Sequence, residues 1–168
     1  MSKIIHKNPK FGKYLEKLDR EYRKNAEKPS IKIGFPSGRV PQKYPDGTSV
    51  IDVAVWNNYG TDTIPERPFL SLSRFSIIAE TKEQRMTAIR MLQGVRDGKM
   101  QIEDLIKKMN QIGAKSSAIM KRVITELSDP PNAPSTIEKK GSDNPLIDTG
   151  LLRSSVTWSI SLPDGLQK

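Results

Sequence analysis

The chain has 168 residues, of which 35% are hydrophobic and 28% are charged, a composition typical of a single globular domain. It contains no cysteine, which excludes disulfides, thiolate metal sites and cysteine nucleophiles. Its formal net charge of +9 means that a polyanionic partner has to be considered.

The sequence also predicts a soluble protein that is made in the cytoplasm. No apolar run approaches the roughly 20 residues that a membrane-spanning helix needs. The basic N-terminus lacks the continuous apolar stretch of a signal peptide.

Residues 1–28 are predicted to form a basic helical arm. Asn8 followed by Pro9 is a favourable helix start, because Asn caps free N–H groups and Pro is tolerated at the first helical position. Pro29 ends the helix. The apolar stripe of this amphipathic helix is Phe11, Tyr14, Leu15, Leu18 and Tyr22. Its basic stripe is Lys10, Lys13, Lys17, Arg20 and Lys24. The segment holds nine Lys or Arg against four acids, which gives 9 − 4 = +5, more than half of the net charge.

Residues 29–168 are predicted to form one α+β domain, whose first elements are a strand and a short helix. Hydrophobic residues alternate with polar or small ones over residues 30–35, which is the period of a half-buried strand. Residues 36–48 carry three prolines and two glycines and are predicted as an extended loop. Ser49 and Asp52 resemble a capping box, and Gly60 suits a C-cap, so residues 49–59 are predicted as a helix.

Two long helices and a second strand follow. Helical spacing predicts one helix from Pro68 to about residue 95 and a second, more regular one over residues 102–127. Residues 128–147 form an extended polar loop with four prolines, in which Ser135 and Glu138 predict a capping box that opens a single helical turn. Strict alternation over residues 155–162 predicts the closing strand.

Two strands alone make a marginal sheet, so we expect further strands within residues 37–50 or 61–66, or strands from a neighbouring subunit. The predicted fold is α+β: a small, mostly antiparallel sheet packed against two long helices, with the N-terminal amphipathic helix in addition.

The sequence offers little for catalysis. Its one histidine, His6, lies in the basic N-terminus, and the strained nucleophile turn G-x-S-x-G does not occur. The phosphate-binding loops G-x-x-x-x-G-K-[ST] and G-x-G-x-x-G and the calcium-loop spacing are also missing. No pair of carboxylates stands out for hydrolysis. We therefore expect a non-enzymatic protein without a metal or cofactor.

The basic arm suggests a second class of function, a DNA-binding accessory protein. Lysines and arginines that neutralise phosphates release counterions and so favour binding to DNA. The acids that alternate with them also fit a solvated helix face or contact with an acidic partner. No helix-turn-helix, zinc finger or RNA-binding signature accompanies the arm.

Three stretches in order resemble one known family. They are "VAVWNNYGTDTIPERPFL" at residues 53–70, the two long helices, and "PNAPSTIEKKGSDNPLIDTGLLRSSVTW" at residues 131–158. Together they resemble the neck and tail-completion proteins of tailed bacteriophages, also called virion morphogenesis proteins, over residues 49–160. The chain departs from that pattern at Ser71, where the family often has arginine.

The resemblance implies a structural virion protein that forms a ring, as a hexamer, in the neck of the particle. The ring would lie between the head connector and the tail tube, or at the head-proximal end of the tube as a tail terminator, and DNA would pass through it. Its partners would be further copies of the chain, head-completion proteins and tail-tube or terminator proteins.

The matching residues have two interpretations. Aromatic and arginine side chains are enriched at interface hot spots, which makes one set of residues candidates for contact with a neighbouring subunit. That set is Trp56, Tyr59, Arg67, Phe69 and Arg153. The alternatives are a local core for the aromatic residues and simple solvation for Arg153. The segment Asp148–Gly150 is predicted to cap a short helix at residues 151–154 by offering a side-chain oxygen to its free N–H groups.

Overall fold

The computed structural model describes residues 28–36, 43–141 and 143–163, together with Lys13, Glu16 and Leu166. Within these ranges the chain has an α+β fold with six helices and a two-stranded antiparallel sheet. The elements in chain order are β1 (Ser30–Gly34), α1 (Val50–Tyr59), α2 (Phe69–Glu80), α3 (Lys82–Arg96), α4 (Ile102–Glu126), α5 (Pro134–Lys140), α6 (Leu151–Ser154) and β2 (Thr157–Ser161).

Helix α4 is the central element of the fold, and its predicted bounds are confirmed to within one residue. It contacts both strands, and it also contacts α2 and α3. Its buried side chains recur at helical spacing, and they include Leu105, Met109, Ile112 and Met120. The sheet and the α2–α3 pair are therefore held by one shared helix.

The two strands pair antiparallel with Ile33 opposite Trp158. The indole of Trp158 lies directly on Gly113 of α4, where the missing side chain leaves room for it. The indole Nε1 also donates a hydrogen bond to Oδ1 of Asn110, at 3.1 Å. A glycine in the middle of a helix normally costs stability, and here it allows the sheet to approach the helix closely.

The main hydrophobic core lies where α1, α2, α4, α6 and the start of β2 meet. Its largest fully buried side chains are Phe69 and Ile124, and Leu152 of α6 and Val156 pack with them. Ser49 caps α1 as expected, because its hydroxyl accepts a hydrogen bond from the N–H of Ile51. Gly60 ends the helix with φ at 72°.

The prediction of a single long helix over residues 69–95 is wrong, because the helix is interrupted at Thr81. Thr81 is fully buried with φ at −109°, and its hydroxyl donates to the carbonyl of Ile77 at 2.6 Å. A threonine hydroxyl that binds the preceding turn in this way bends helices. At the residue before the bend, Lys115 Nζ donates to the carbonyl of Glu80, and Arg122 forms an ion pair with the Glu80 carboxylate.

Other expectations also need correction. Residues 61–66 form no strand, and the described part of residues 37–50 contributes one isolated bridge, between Lys43 and Ser49. Helix α5 begins at Pro134 after Ala133, without the capping box predicted at Ser135, and has two turns instead of one. Of the predicted arm at residues 1–28, the structure describes Lys13 and Glu16, which have helical conformation, and Lys28, which lies in a bend.

Replacing Gly113 with alanine should destabilise the fold. A Cβ atom there would lie 2.7 Å from Nε1 of Trp158, so the indole and β2 would have to shift. We expect a loss of about 1–3 kcal/mol in the free energy of unfolding, measured by urea titration. Gly94→Ala is the matched control, since its Cβ would meet only the flexible side chain of Met100. Equal stability of the two variants would contradict the packing of Trp158 on α4.

Candidate functional site

A buried arginine joins the two motif segments. The side chain of Arg67 is 3% exposed. Its Nε donates to the carbonyl of Pro130 at 2.8 Å, and one terminal nitrogen donates to the carbonyl of Pro131 at 3.0 Å. Longer contacts of 3.4 Å reach the side-chain oxygens of Asn57 and Asn132. Arg67 thus ties the end of α1 to the loop that follows α4.

The acceptors of this guanidinium are all neutral oxygens. Burial lowers the pKa of Arg67, although an arginine keeps its charge at any accessible pH. The fixed fork of the guanidinium suits two adjacent backbone carbonyls, because it offers parallel N–H donors. The positive charge is therefore held by backbone dipoles and not by a carboxylate.

Asparagine side chains fix the same two segments locally. Oδ1 of the buried Asn58 accepts a hydrogen bond from the N–H of Leu70, in the first turn of α2, at 2.9 Å. Asn144 donates to the carbonyl of Thr125 at the end of α4 and accepts from the N–H groups of Leu146 and Ile147. Each of these asparagines satisfies backbone groups at a helix end or turn.

An open cleft of about 290 Å³ lies between the motif segments. Its lining includes Trp56 and Asn57 of α1, together with Lys140, Leu146 and Asp148 of the second segment. Residues of the loop before α1, Tyr44, Asp46 and Thr48, complete the lining. The cleft is thus amphipathic, lined by aromatic rings and by side chains of both charge signs.

The ionisable groups of the cleft influence one another. Burial raises the pKa of the Tyr44 phenol, and the nearby Asp148 carboxylate raises it further. Burial lowers the pKa of Lys140, whereas Asp148 opposes that change. The Lys140 amine donates to the carbonyl of Asn144 at 3.1 Å. Hydrogen bonds from Thr48 lower the pKa of Asp46 at the rim.

The lining of the cleft includes one lysine, Lys140, and two carboxylates, Asp46 and Asp148. Its lysine is bonded to the backbone carbonyl of Asn144, and burial and both carboxylates raise the pKa of the Tyr44 phenol. No cluster of three or more potential metal-binding side chains occurs in the described ranges. Among those ranges, no helix combines the length and apolar character needed to cross a membrane.

The structure divides the predicted interface residues into two groups. Arg67 and Phe69 are buried within the chain, so in this conformation they stabilise its interior and do not form an exposed contact surface. Trp56 and Tyr59 on α1 are partly exposed, and Arg153 on α6 is exposed. The indole N–H of Trp56 is buried without a hydrogen-bond partner in the described structure.

The predicted basic stripe lies mostly outside the described residues. Lys10, Lys17, Arg20 and Lys24 belong to that part, and Lys13 is exposed in helical conformation. Helix α6 is confirmed at residues Leu151–Ser154, and a side-chain oxygen of the segment before it accepts a hydrogen bond from its first N–H group. The hydroxyl of Thr149, and not the carboxylate of Asp148, accepts from the N–H of Leu151, at 3.3 Å.

Sequence reasoning did not identify Asn57, Asn132, Asn144, Tyr44 or Lys140 as parts of this site. The adjacent asparagines at the end of α1 were the available signal, since asparagine commonly satisfies backbone groups at helix ends. Comparison with models of known protein families, with curated proteins and with solved structures found no match.

Replacing Arg67 with methionine should unfold the chain more readily. The variant leaves the carbonyls of Pro130 and Pro131 without their donors, which costs about 2–4 kcal/mol in the free energy of unfolding. Arg67→Lys should lose much of the same stability, because an ammonium group lacks the parallel donors. The exposed Arg153→Met is the control and should change stability by less than about 0.5 kcal/mol. Urea titration measures all three, and an unchanged Arg67→Lys variant would argue against the fork geometry.

Tyr44 should make folding less favourable at alkaline pH. Its pKa is raised in the folded state, so the unfolded chain loses the phenolic proton first as the pH rises. The contribution of Tyr44 is present below its unfolded pKa near 10 and is lost as the pH rises through the folded pKa. The free energy of unfolding, measured by urea titration from pH 9 to 11.5, should therefore fall more steeply with pH for the wild type than for Tyr44→Phe. A stability difference that stays constant over this pH range would indicate that the phenol is exposed to water.

Proposed function

We propose that this chain is a structural virion protein of a tailed bacteriophage. It forms a ring, as a hexamer, in the neck at the head-proximal end of the tail, where it completes the tail or joins it to the head and surrounds the DNA. The helices and the small sheet would then form the wall of each subunit.

One observation carries the proposal: the two sequence segments that resemble this family meet in space. Arg67 of the first segment donates to the carbonyl of Pro131 and reaches Asn132 in the second, more than 60 residues later. The cleft between them is lined by residues of both. If the two segments together specify one fold, they are expected to share a buried network of contacts.

The roles of the motif residues also support a structural protein. Asn58 and Arg67 bind backbone groups, while Phe69, Leu146 and Leu152 fill the core. None of these residues presents a reactive group to the cleft. Because the motif residues named above stabilise the fold, Trp56, Tyr59 and Arg153 are the candidates for contact with neighbouring subunits.

Loss of the protein should separate heads from tails. We expect a phage that carries a nonsense mutation in this gene to produce filled heads and free tails, seen by negative-stain electron microscopy, and infectivity to return when the wild-type protein is supplied. Mass spectrometry should find about six copies of the chain per purified wild-type particle. Joined, infectious particles without the protein would refute the proposal.

A DNA-binding assay separates this function from the alternative of a DNA-binding accessory protein. The ring protein should bind DNA weakly, with an affinity that falls steeply as salt rises. Submicromolar binding at physiological salt, lost when all five residues of the basic stripe become glutamine, would favour the accessory protein. The substituted residues are Lys10, Lys13, Lys17, Arg20 and Lys24.

A further inference from the structure

Helices α2 and α3 carry a stripe of large apolar side chains on their outer surface. Phe75 is 71% exposed and Ile89 is 59% exposed. Leu72 and Met86 are also exposed in this stripe, and Ile78 is exposed beside it. Single exposed apolar residues are ordinary, but an aligned set on one surface marks a binding face.

The stripe lies on the side of α2 and α3 that faces away from α4. The inward side contacts α4 and carries the buried Ser73 and Thr81. The outward positions 72, 75, 79, 82, 86 and 89 follow each other at alternating steps of three and four residues, which is the spacing of a coiled-coil seam. The same period continues through the bend, because Thr81 still accepts from the N–H of Arg85 and donates its own N–H to Ile77.

The spacing of the stripe positions is symmetric about their midpoint. Leu72 and Ile89 lie equally far from the midpoint between Glu80 and Thr81, and so do Phe75 and Met86. Ala79 and Lys82 form the central pair. A helix face with this symmetry complements a second copy of itself that runs antiparallel, because each large apolar residue then faces another one.

We propose that the α2–α3 stripe is a two-fold contact between two copies of this chain. Leu72 of each copy packs against Ile89 of the other, and Phe75 packs against Met86. At the centre, the small side chain of Ala79 leaves room for the stem of Lys82, whose amine extends to the edge of the contact. The stripe spans about 25 Å between Leu72 and Ile89 at 1.5 Å per residue.

This contact is different from the one that closes a ring. A two-fold contact uses the same surface on both copies and is complete with two, whereas a ring needs two different surfaces on each subunit. The dimer does not depend on the proposed virion function, and its test requires only purified protein. Failure of the dimer and failure of the ring are therefore separate results.

Sedimentation equilibrium of the full chain tests the contact. The wild type should change from monomer to dimer as its concentration rises toward about 1 mM, where even a contact of about −4 kcal/mol is half formed. Phe75→Glu should weaken the dimer at least about tenfold, as expected when a large aromatic residue of an interface is replaced by a charged one. Ile137→Glu, on α5, adds the same charge at a side chain that is 36% exposed and should leave the dimer unchanged. Circular dichroism checks that both variants are folded.

A variant that strengthens association gives an independent test. Lys82→Leu completes the apolar stripe and should tighten the dimer at least about tenfold, because it removes a charge from the seam. The Phe75→Glu substitution in the same chain should cancel that gain. A loss of folding cannot mimic a gain in association.

Disulfide trapping tests the antiparallel direction, since the natural chain has no cysteine. A mixture of Leu72→Cys and Ile89→Cys chains should form mixed disulfides in preference to either symmetric product, because the two positions face each other. Preferential Leu72–Leu72 disulfides would contradict the antiparallel arrangement. A chain that stays monomeric at every concentration overturns the proposal, including the case in which residues 1–27 of the same chain cover the stripe. Larger species that survive Phe75→Glu also overturn it.

Discussion

The buried guanidinium of Arg67 is the interaction on which the candidate site depends. It holds the carbonyls of Pro130 and Pro131, so it sets where the loop after α4 runs. The same loop leads to α5, to Asn144 and finally to α6 and β2. The buried charge is tolerable because each of its contacts is a hydrogen bond to an oriented oxygen. The position of the cleft therefore follows from one side chain that is out of contact with water.

Helix α4 provides the frame in which this interaction operates. One side of the helix receives the two strands through Gly113, and other positions contact α2 and α3. Asn144 binds the carbonyl of Thr125 at its C-terminal end. A two-stranded sheet has little stability of its own, and here it is stabilised by the helix beneath it. The α2–α3 stripe differs from the sheet, because α4 does not cover its apolar side chains.

Local patterns predicted those elements whose signals lie within a few residues. The 3–4 periodicity gave α4, the Ser49 cap gave the start of α1, and alternation gave both strands. No glycine or proline marks the break at Thr81 in the sequence. The break arises instead from a threonine hydroxyl that binds a carbonyl of its own helix. The burial of Arg67 was also hidden: arginine is ordinarily exposed, and its acceptors are backbone carbonyls more than 60 residues away. Tertiary contacts of this kind leave no mark in a local pattern.

The distance along the chain between Arg67 and its acceptors has a consequence for synthesis on the ribosome. Helices α1 and α2 are made long before the carbonyls of Pro130 and Pro131, and the strand that covers Gly113 is made later still. Domains of this size complete their packing only when such late segments have emerged. A prematurely terminated chain leaves a charged side chain unpaired and one side of its central helix bare, which marks it for degradation by cellular proteases.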